Sequence, residues 1–192
     1  MSEKYRVLVD MDGVLADFDT RLVELWKQKW PNDPAEKILE RETFEITDMQ
    51  DFTDNVDEKL KEIYLAKGFY ESLKPIMNGL GSTALKQMVS FGHEVYILTS
   101  AGSKAMYAPT EKFIWVRDNI GSEWVSKIIV SRDKHVVDGD ILIDDKPNPN
   151  GEEKGAKWEH VIYDQPFNRS VDNKRRITWK NWEDILPELT DQ

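Results

Sequence analysis

The 192-residue chain contains no cysteine, which excludes a disulfide framework, a thiolate zinc site and a cysteine nucleophile. It has no apolar run near the roughly 18 residues of a membrane-spanning helix, and no membrane partner is expected. The opening Met-Ser-Glu-Lys-Tyr reaches no apolar stretch before Asp10, so a signal peptide is not predicted and a cytoplasmic setting is expected. A phosphate loop of the GK[ST] type is missing, as are internal repeats and low-complexity tracts. The three histidines, His93, His135 and His160, stand too far apart for a metal-ligand spacing. Positive charge is scarce: 26 Lys and Arg against 36 Asp and Glu leave a net charge of -10. Such a surface repels polyphosphate backbones and anionic lipids, which argues against a polymeric nucleic-acid partner. A small phosphorylated ligand needs only a few local cations and stays compatible.

The length suits one ordinary domain, or one domain with a modest insertion, and area scaling buries about 70% of the extended chain's surface. Short, β-rich apolar runs stand at residues 5–9, 94–98 and 141–143, with two more at 128–130 and 161–163. Consecutive apolar positions suit strands covered on both faces, as in a parallel sheet. Helical patterns lie between them, one carrying Leu80, Ala84, Leu85, Met88 and Val89, another over residues 111–119. This alternation predicts an α/β fold, a Rossmann-like doubly wound parallel sheet. Residues 17–75 break the pattern with two helical stretches, near residues 18–26 and 56–67, around a Pro- and Asp-rich segment. They are expected to form an all-helical insertion after the first strand, with residues 1–16 and 76–192 making the core. The acidic stretch 45–58 fits no metal-loop spacing and is expected to be a solvated face.

The strongest chemical signal is VLVDMDGVLAD over residues 7–17, a buried strand running into Asp10 and Asp12, followed by Gly13. In α/β sheets ligands collect at the carboxyl ends of strands. Two acids this close repel each other unless a cation or a shared proton intervenes. An EF-hand is excluded because the twelfth loop position would be Arg21. The run 95–98 ends in Thr99 and Ser100, whose hydroxyls and free N–H groups can cradle a phosphate. The run 141–143 ends in a second acid pair, Asp144 and Asp145, and Lys134 lies between the last two expected strands. The segment 79–84 matches a loose dinucleotide fingerprint, but it follows Pro75-Ile76-Met77-Asn78 rather than a strand and reads as a helix start.

Asp, Thr, Lys and Asp at successive strand ends make a mechanism. Asp10 attacks phosphorus, with Mg²⁺ shared between Asp10, Asp145 and a phosphate oxygen; hard oxygen donors favour Mg²⁺ over zinc. Asp12 protonates the leaving alcohol and then activates water. Thr99, Ser100 and Lys134 stabilise the transferred phosphoryl. A receiver-like phospho-acceptor module uses a similar set. An acid two residues after the nucleophile and an insertion of this size speak against it.

These motifs, in this order, resemble the haloacid dehalogenase (HAD) superfamily of phosphohydrolases. Longer strings resemble its 5′(3′)-deoxyribonucleotidases: VLVDMDGVLADF at 7–18, PTEKFIWV at 109–116, SRDKHVV at 131–137, ILIDDKP at 141–147 and WEHVIY at 158–163. The resemblance implies a HAD-like core with a helical cap, acting on a small-molecule nucleoside monophosphate with a preference for pyrimidine deoxyribonucleotides. It makes Asp10 the nucleophile, Asp12 the acid/base, and Asp10, the Asp12 carbonyl and Asp145 the metal ligands, with Asp144 supporting them. Thr99, Ser100, Lys112 and Lys134 fall on phosphate-site positions, and Phe18, Phe44, Tyr64 and Tyr70 where the family encloses the base and sugar. The chain departs from the family pattern at Glu45, Ala101 and Lys146, where an aromatic, a proline and an arginine are usual. A phosphatase for another small metabolite such as a sugar phosphate is the alternative, and a homodimer is left open.

Overall fold

The computed structural model describes residues 3–190. A six-stranded sheet forms the centre, in the order β5 (Ile128–Val130), β4 (Glu94–Thr99), β1 (Arg6–Val9), β6 (Ile141–Asp144), β7 (Glu159–Tyr163), β8 (Arg176–Ile177). Every neighbouring pair is parallel. The chain starts at β1, builds outward through β4 and β5, then crosses back to add β6, β7 and β8 on the other side. The order therefore reverses at β1, which opens a crevice beyond the carboxyl ends of β1 and β6.

Side-chain alternation explains the two-sided burial. Val7 and Val9 of β1, Val95 and Ile97 of β4, and Ile141 and Ile143 of β6 join one large apolar cluster. The residues that alternate with them, Leu8, Leu98 and Leu142, meet Trp158 on the opposite face. Period-two alternation with both sets apolar is the pattern of a covered parallel sheet.

The five runs read from the sequence are β1, β4, β5, β6 and β7. The sixth strand, β8, spans two residues and was not predicted. It begins with Arg176, whose guanidinium bonds Asp164 (2.9 Å) and Asn168 (2.6 Å), so its polarity hides a strand held by side chains. Helix α3 (Leu80–Ser90) follows the predicted stripe. Helix α4 (Ala108–Asn119) starts before the apolar pattern because Pro109 suits its first turn.

Between β1 and α3 the chain makes helix α1 (Phe18–Lys29), helix α2 (Val56–Tyr64) and several 3₁₀ turns. Asp17 caps α1 by accepting the Thr20 N–H at 3.1 Å. Leu22 and Trp26 of α1 and Ile63 of α2 are buried together, and the Trp26 indole donates to Asp33 at 2.9 Å. The two ends of this stretch pair antiparallel as short strands, β2 (Ala16–Asp17) and β3 (Lys74–Pro75). The sequence showed no buried-type strand there, and the pair is too short to give a periodicity. Among the described residues no helix is long and apolar enough to cross a membrane.

Candidate active site

Asp10 follows the last residue of β1, Asp144 is the last residue of β6, and Asp145 follows it. Val9 lies opposite Ile143 in the register, and the Asp10 N–H extends the ladder onto the Ile143 carbonyl at 2.8 Å. Strand pairing alone therefore brings these acids level. Asp10, Asp144 and Asp145 each offer an oxygen within 4.8 Å of the others. The buried Lys134 ammonium stands among them, 2.8 Å from Asp10 Oδ1 and 2.5 Å from Asp144 Oδ2. Asp144 also accepts the Lys146 N–H at 2.8 Å, so both its oxygens are occupied.

Asp145 differs. Among the described residues it has no cation within ion-pair range, and burial together with Asp144 and Asp10 pushes its carboxyl well above the usual range. Burial also raises Asp10, against the pull of Lys134. Ionised together, three carboxylates around one ammonium would carry two negative charges in excess, the charge of one divalent cation. All donors are hard oxygens, so the group is suited to hold such an ion. Gly13 is part of the cradle. Its φ is +76°, and a Cβ there would lie 1.8 Å from Asp145 Oδ2, so only glycine lets the carboxylate pack against the loop. The buried Asn168 amide bridges the carbonyls of Asp145 and Tyr163, both at 2.8 Å, and Gln165 donates to the Gly13 carbonyl at 2.7 Å.

Lys112 sits differently from its expected place at the phosphate. Its ammonium gives one hydrogen bond each to Asp12 Oδ2 (2.6 Å), Thr99 Oγ1 (2.7 Å) and the Ser100 carbonyl (2.7 Å). An ammonium has three donors, so none remains for a ligand. Lys112 and Thr99 are buried behind the cleft wall, and Lys112 serves Asp12 instead. Lys134, with two acceptors, keeps one proton directed elsewhere, and it lines the cleft together with Ser100. Asp12 Oδ1 is buried without a partner. Burial raises the Asp12 carboxyl, Lys112 opposes that, and Asp10 adds to it.

The carboxylates open into a cleft of about 320 Å³ whose far wall holds Phe18, Phe44, Tyr64, Ile46 and Leu60. Phe44 meets Phe167 edge-on with ring centres 5.4 Å apart. The buried Arg41 guanidinium lies 4.3 Å over Phe167 and bonds Asp19 at 2.5 Å. Tyr70, expected on this wall, lies behind it, packed against Phe18 and Phe69. The sequence reading did not single out Arg41, Gln165, Phe167 or Asn168. The last three follow β7, and the rule that sites gather beyond strand ends is the one signal that pointed there.

Over residues 4–190 the chain matches the family described as 5′ nucleotidase, deoxy (Pyrimidine), cytosolic type C protein. The chain belongs to this family. It is 35% identical to the human cytosolic-type 5′(3′)-deoxyribonucleotidase, covering 97% of this chain and 95% of that protein. It is 34% identical to the human mitochondrial 5′(3′)-deoxyribonucleotidase, covering 94% of this chain and 82% of that one. A HAD family hydrolase from Deinococcus radiodurans R1, solved with bound phosphate and sodium, superposes with a TM-score of 0.64 at 14% identity, covering 98% of this chain and 97% of that chain. That likeness shows the fold, a HAD-like α/β core. Family membership makes the chain a phosphoric monoester hydrolase of the nucleotidase type, with a small molecule as its partner. A phospho-acceptor module is thereby set aside.

Proposed function

We propose that the protein hydrolyses deoxyribonucleoside monophosphates, with pyrimidines preferred, through an aspartyl-phosphate on Asp10 and with Mg²⁺ held by Asp10, Asp145 and the Asp12 carbonyl. The observation that carries this is the buried carboxylate group around Lys134, two charges short of neutrality when ionised and open to the cleft. A bound Mg²⁺ would offset the charge of the approaching phosphate and of the Asp10 carboxylate.

The Asp10 carboxylate attacks phosphorus as the P–O bond to the sugar breaks. Lys134's free proton and the Ser100 hydroxyl bind the phosphoryl oxygens. Asp12, whose Oδ1 has no partner and is free to carry a proton, gives that proton to the leaving alkoxide. The same oxygen then takes a proton from the water that hydrolyses the acyl phosphate, which releases phosphate and restores Asp10. Phe18, Phe44 and Tyr64 offer flat apolar surface to the base. An apolar wall that gives a 2′-hydroxyl no partner would disfavour ribonucleotides, because that hydroxyl would be desolvated and unpaired. A cytoplasmic setting is supported by the likeness to the human cytosolic-type enzyme.

A panel of deoxyribonucleoside, ribonucleoside and sugar monophosphates, run with Mg²⁺ and with chelator, tests this. Deoxynucleotides should be turned over fastest and chelator should abolish turnover. Asp10→Asn should be folded and inactive. Preference for sugar phosphates would overturn the substrate, and residual Asp10→Asn activity within tenfold of wild type would overturn the nucleophile.

A further inference from the structure

The motif PTEKFIWV places Glu111 beside Lys112 on α4, and the mechanism above leaves Glu111 without a task. It is a carboxylate only 4% exposed, with no cation in ion-pair range among the described residues. Its oxygens accept two backbone N–H groups from the segment that returns from the helical insertion, Gly68 at 2.6 Å and Tyr70 at 3.0 Å. One helical turn on, the Trp115 indole donates to the Leu73 carbonyl of the same segment at 2.8 Å. Two residues of α4 therefore fix the segment 68–73, while Lys112, between them, donates to Asp12.

The consequence appears at Tyr70. With its N–H tied to Glu111, its ring lies over the Lys112 ammonium, 5.2 Å from the ring centre. Phe69 and Phe18 also pack against the ring, with centres 5.1 Å and 6.2 Å away. The aromatic face adds attraction to an ammonium whose three protons already go to Asp12, Thr99 and Ser100. It also closes the side from which water would compete for those bonds. Gly68, at φ +91°, lets the chain turn so that both N–H groups point at one carboxylate. A neutral or apolar residue at 111 would leave the segment's N–H groups less well held, and the ring free to leave Lys112.

We infer that Glu111 is a positioning residue for Asp12: by fixing the backbone of residues 68–70 it seats the Tyr70 ring over Lys112, and so holds the Lys112–Asp12 contact in one geometry. The inference rests on the phosphatase reading above, with Asp12 as the proton donor. Its chemical signature is specific. Donation to the leaving group matters most when that group is a poor one. Loosening Asp12 should therefore slow esters of basic alcohols more than esters of acidic ones.

Two aryl phosphates without a base separate this from a structural staple and from an effect on the base wall. With the full chain and Mg²⁺, kcat/KM is measured for phenyl phosphate and for p-nitrophenyl phosphate, whose leaving group is the more acidic phenol. Glu111→Ala should lose at least fivefold more activity on phenyl phosphate than on p-nitrophenyl phosphate. Glu111→Gln keeps one acceptor oxygen but turns an amide NH₂ toward the other backbone N–H, so its difference should fall between those of Glu111→Ala and wild type. Tyr70→Leu leaves both N–H bonds in place, should reproduce the selective loss, and should add little in the double variant. Equal losses on the two esters, or a loss confined to deoxynucleotides, would overturn the inference. Should Glu111→Ala fail to fold, a Tyr70→Leu enzyme with wild-type selectivity between the esters would overturn it alone. A wild-type enzyme inert toward every monophosphate would sink the phosphatase reading itself, a result distinct from unchanged selectivity in an active enzyme.

Discussion

Gly13→Ala aims a methyl group into the carboxylate cluster. The new Cβ would stand 1.8 Å from Asp145 Oδ2, whereas ordinary contact begins near 3.4 Å. The carboxylate must therefore retreat by about 1.5 Å, because the alternative is to move a loop anchored by the Gln165 bond to the Gly13 carbonyl. Misplacement of a reacting group by about 1 Å can cost about a hundredfold in rate. Asp145 also lacks another cation, so its displacement removes a charge from the proposed Mg²⁺ site. The backbone adds its own cost, since a residue with a Cβ at φ +76° gives up about 1–2 kcal/mol. For a chain of this size that is a fall of about 2–8 °C in melting temperature. The expected result is a folded protein with kcat/KM on a pyrimidine deoxynucleotide reduced about a hundredfold. Its Mg²⁺ requirement should shift to higher concentration, and the rise in melting temperature on adding Mg²⁺ should shrink. Turnover across a Mg²⁺ titration, with thermal melts in chelator and in Mg²⁺, reads all three. A variant within threefold of wild type in rate and Mg²⁺ dependence would refute the assignment of Asp145 and its cradle.

Lys134→Met leaves the Asp10 and Asp144 carboxylates without their buried cation, which predicts a loss of about 3–5 kcal/mol in urea unfolding with chelator present; a loss under about 1 kcal/mol contradicts it. Phe44→Ala should raise KM for deoxynucleotides more than for p-nitrophenyl phosphate, and equal changes would make Phe44 a packing residue for Phe167 alone. Burial, with Lys174 beside it, pushes the His160 ring down to about 4 from an ordinary 6.5. The folded protein then binds fewer protons than the unfolded chain between these values, so stability falls as pH drops through that window, by up to about 3 kcal/mol. His160→Gln should flatten that part of the stability–pH curve, and an unchanged slope would refute the assignment.

Much of the sheet was legible because its strands are buried on both faces, and consecutive apolar residues at 7–9, 95–98 and 141–143 have no other explanation of that length. The acids were legible for a related reason: a carboxylate pair at the end of a buried strand needs a partner. Lys112 shows where the sequence stops. Its position named it as a cation near a phosphate, but only the three acceptors around its ammonium reveal that its protons are already taken. Tyr70 and Phe44 looked alike as aromatics of one segment, yet one lies behind the cleft wall and the other on it. Strand β8 and the loop after β7 escaped because Arg176, Asn168 and Gln165 act through side-chain bonds to backbone carbonyls, which leave no periodicity.

The β2–β3 ribbon brings the departure and the return of the chain side by side, hydrogen-bonded to each other. Seen from the sheet, everything between them is a side branch, and its size can drift without disturbing strand order or register. The residues proposed to face the base, Phe18, Phe44 and Tyr64, thus lie on this branch, and the proposed nucleophile Asp10 follows β1 of the sheet. Exchanging the branch between relatives would redirect an unaltered reaction to a new molecule, provided that the newcomer still presents two backbone N–H groups to Glu111.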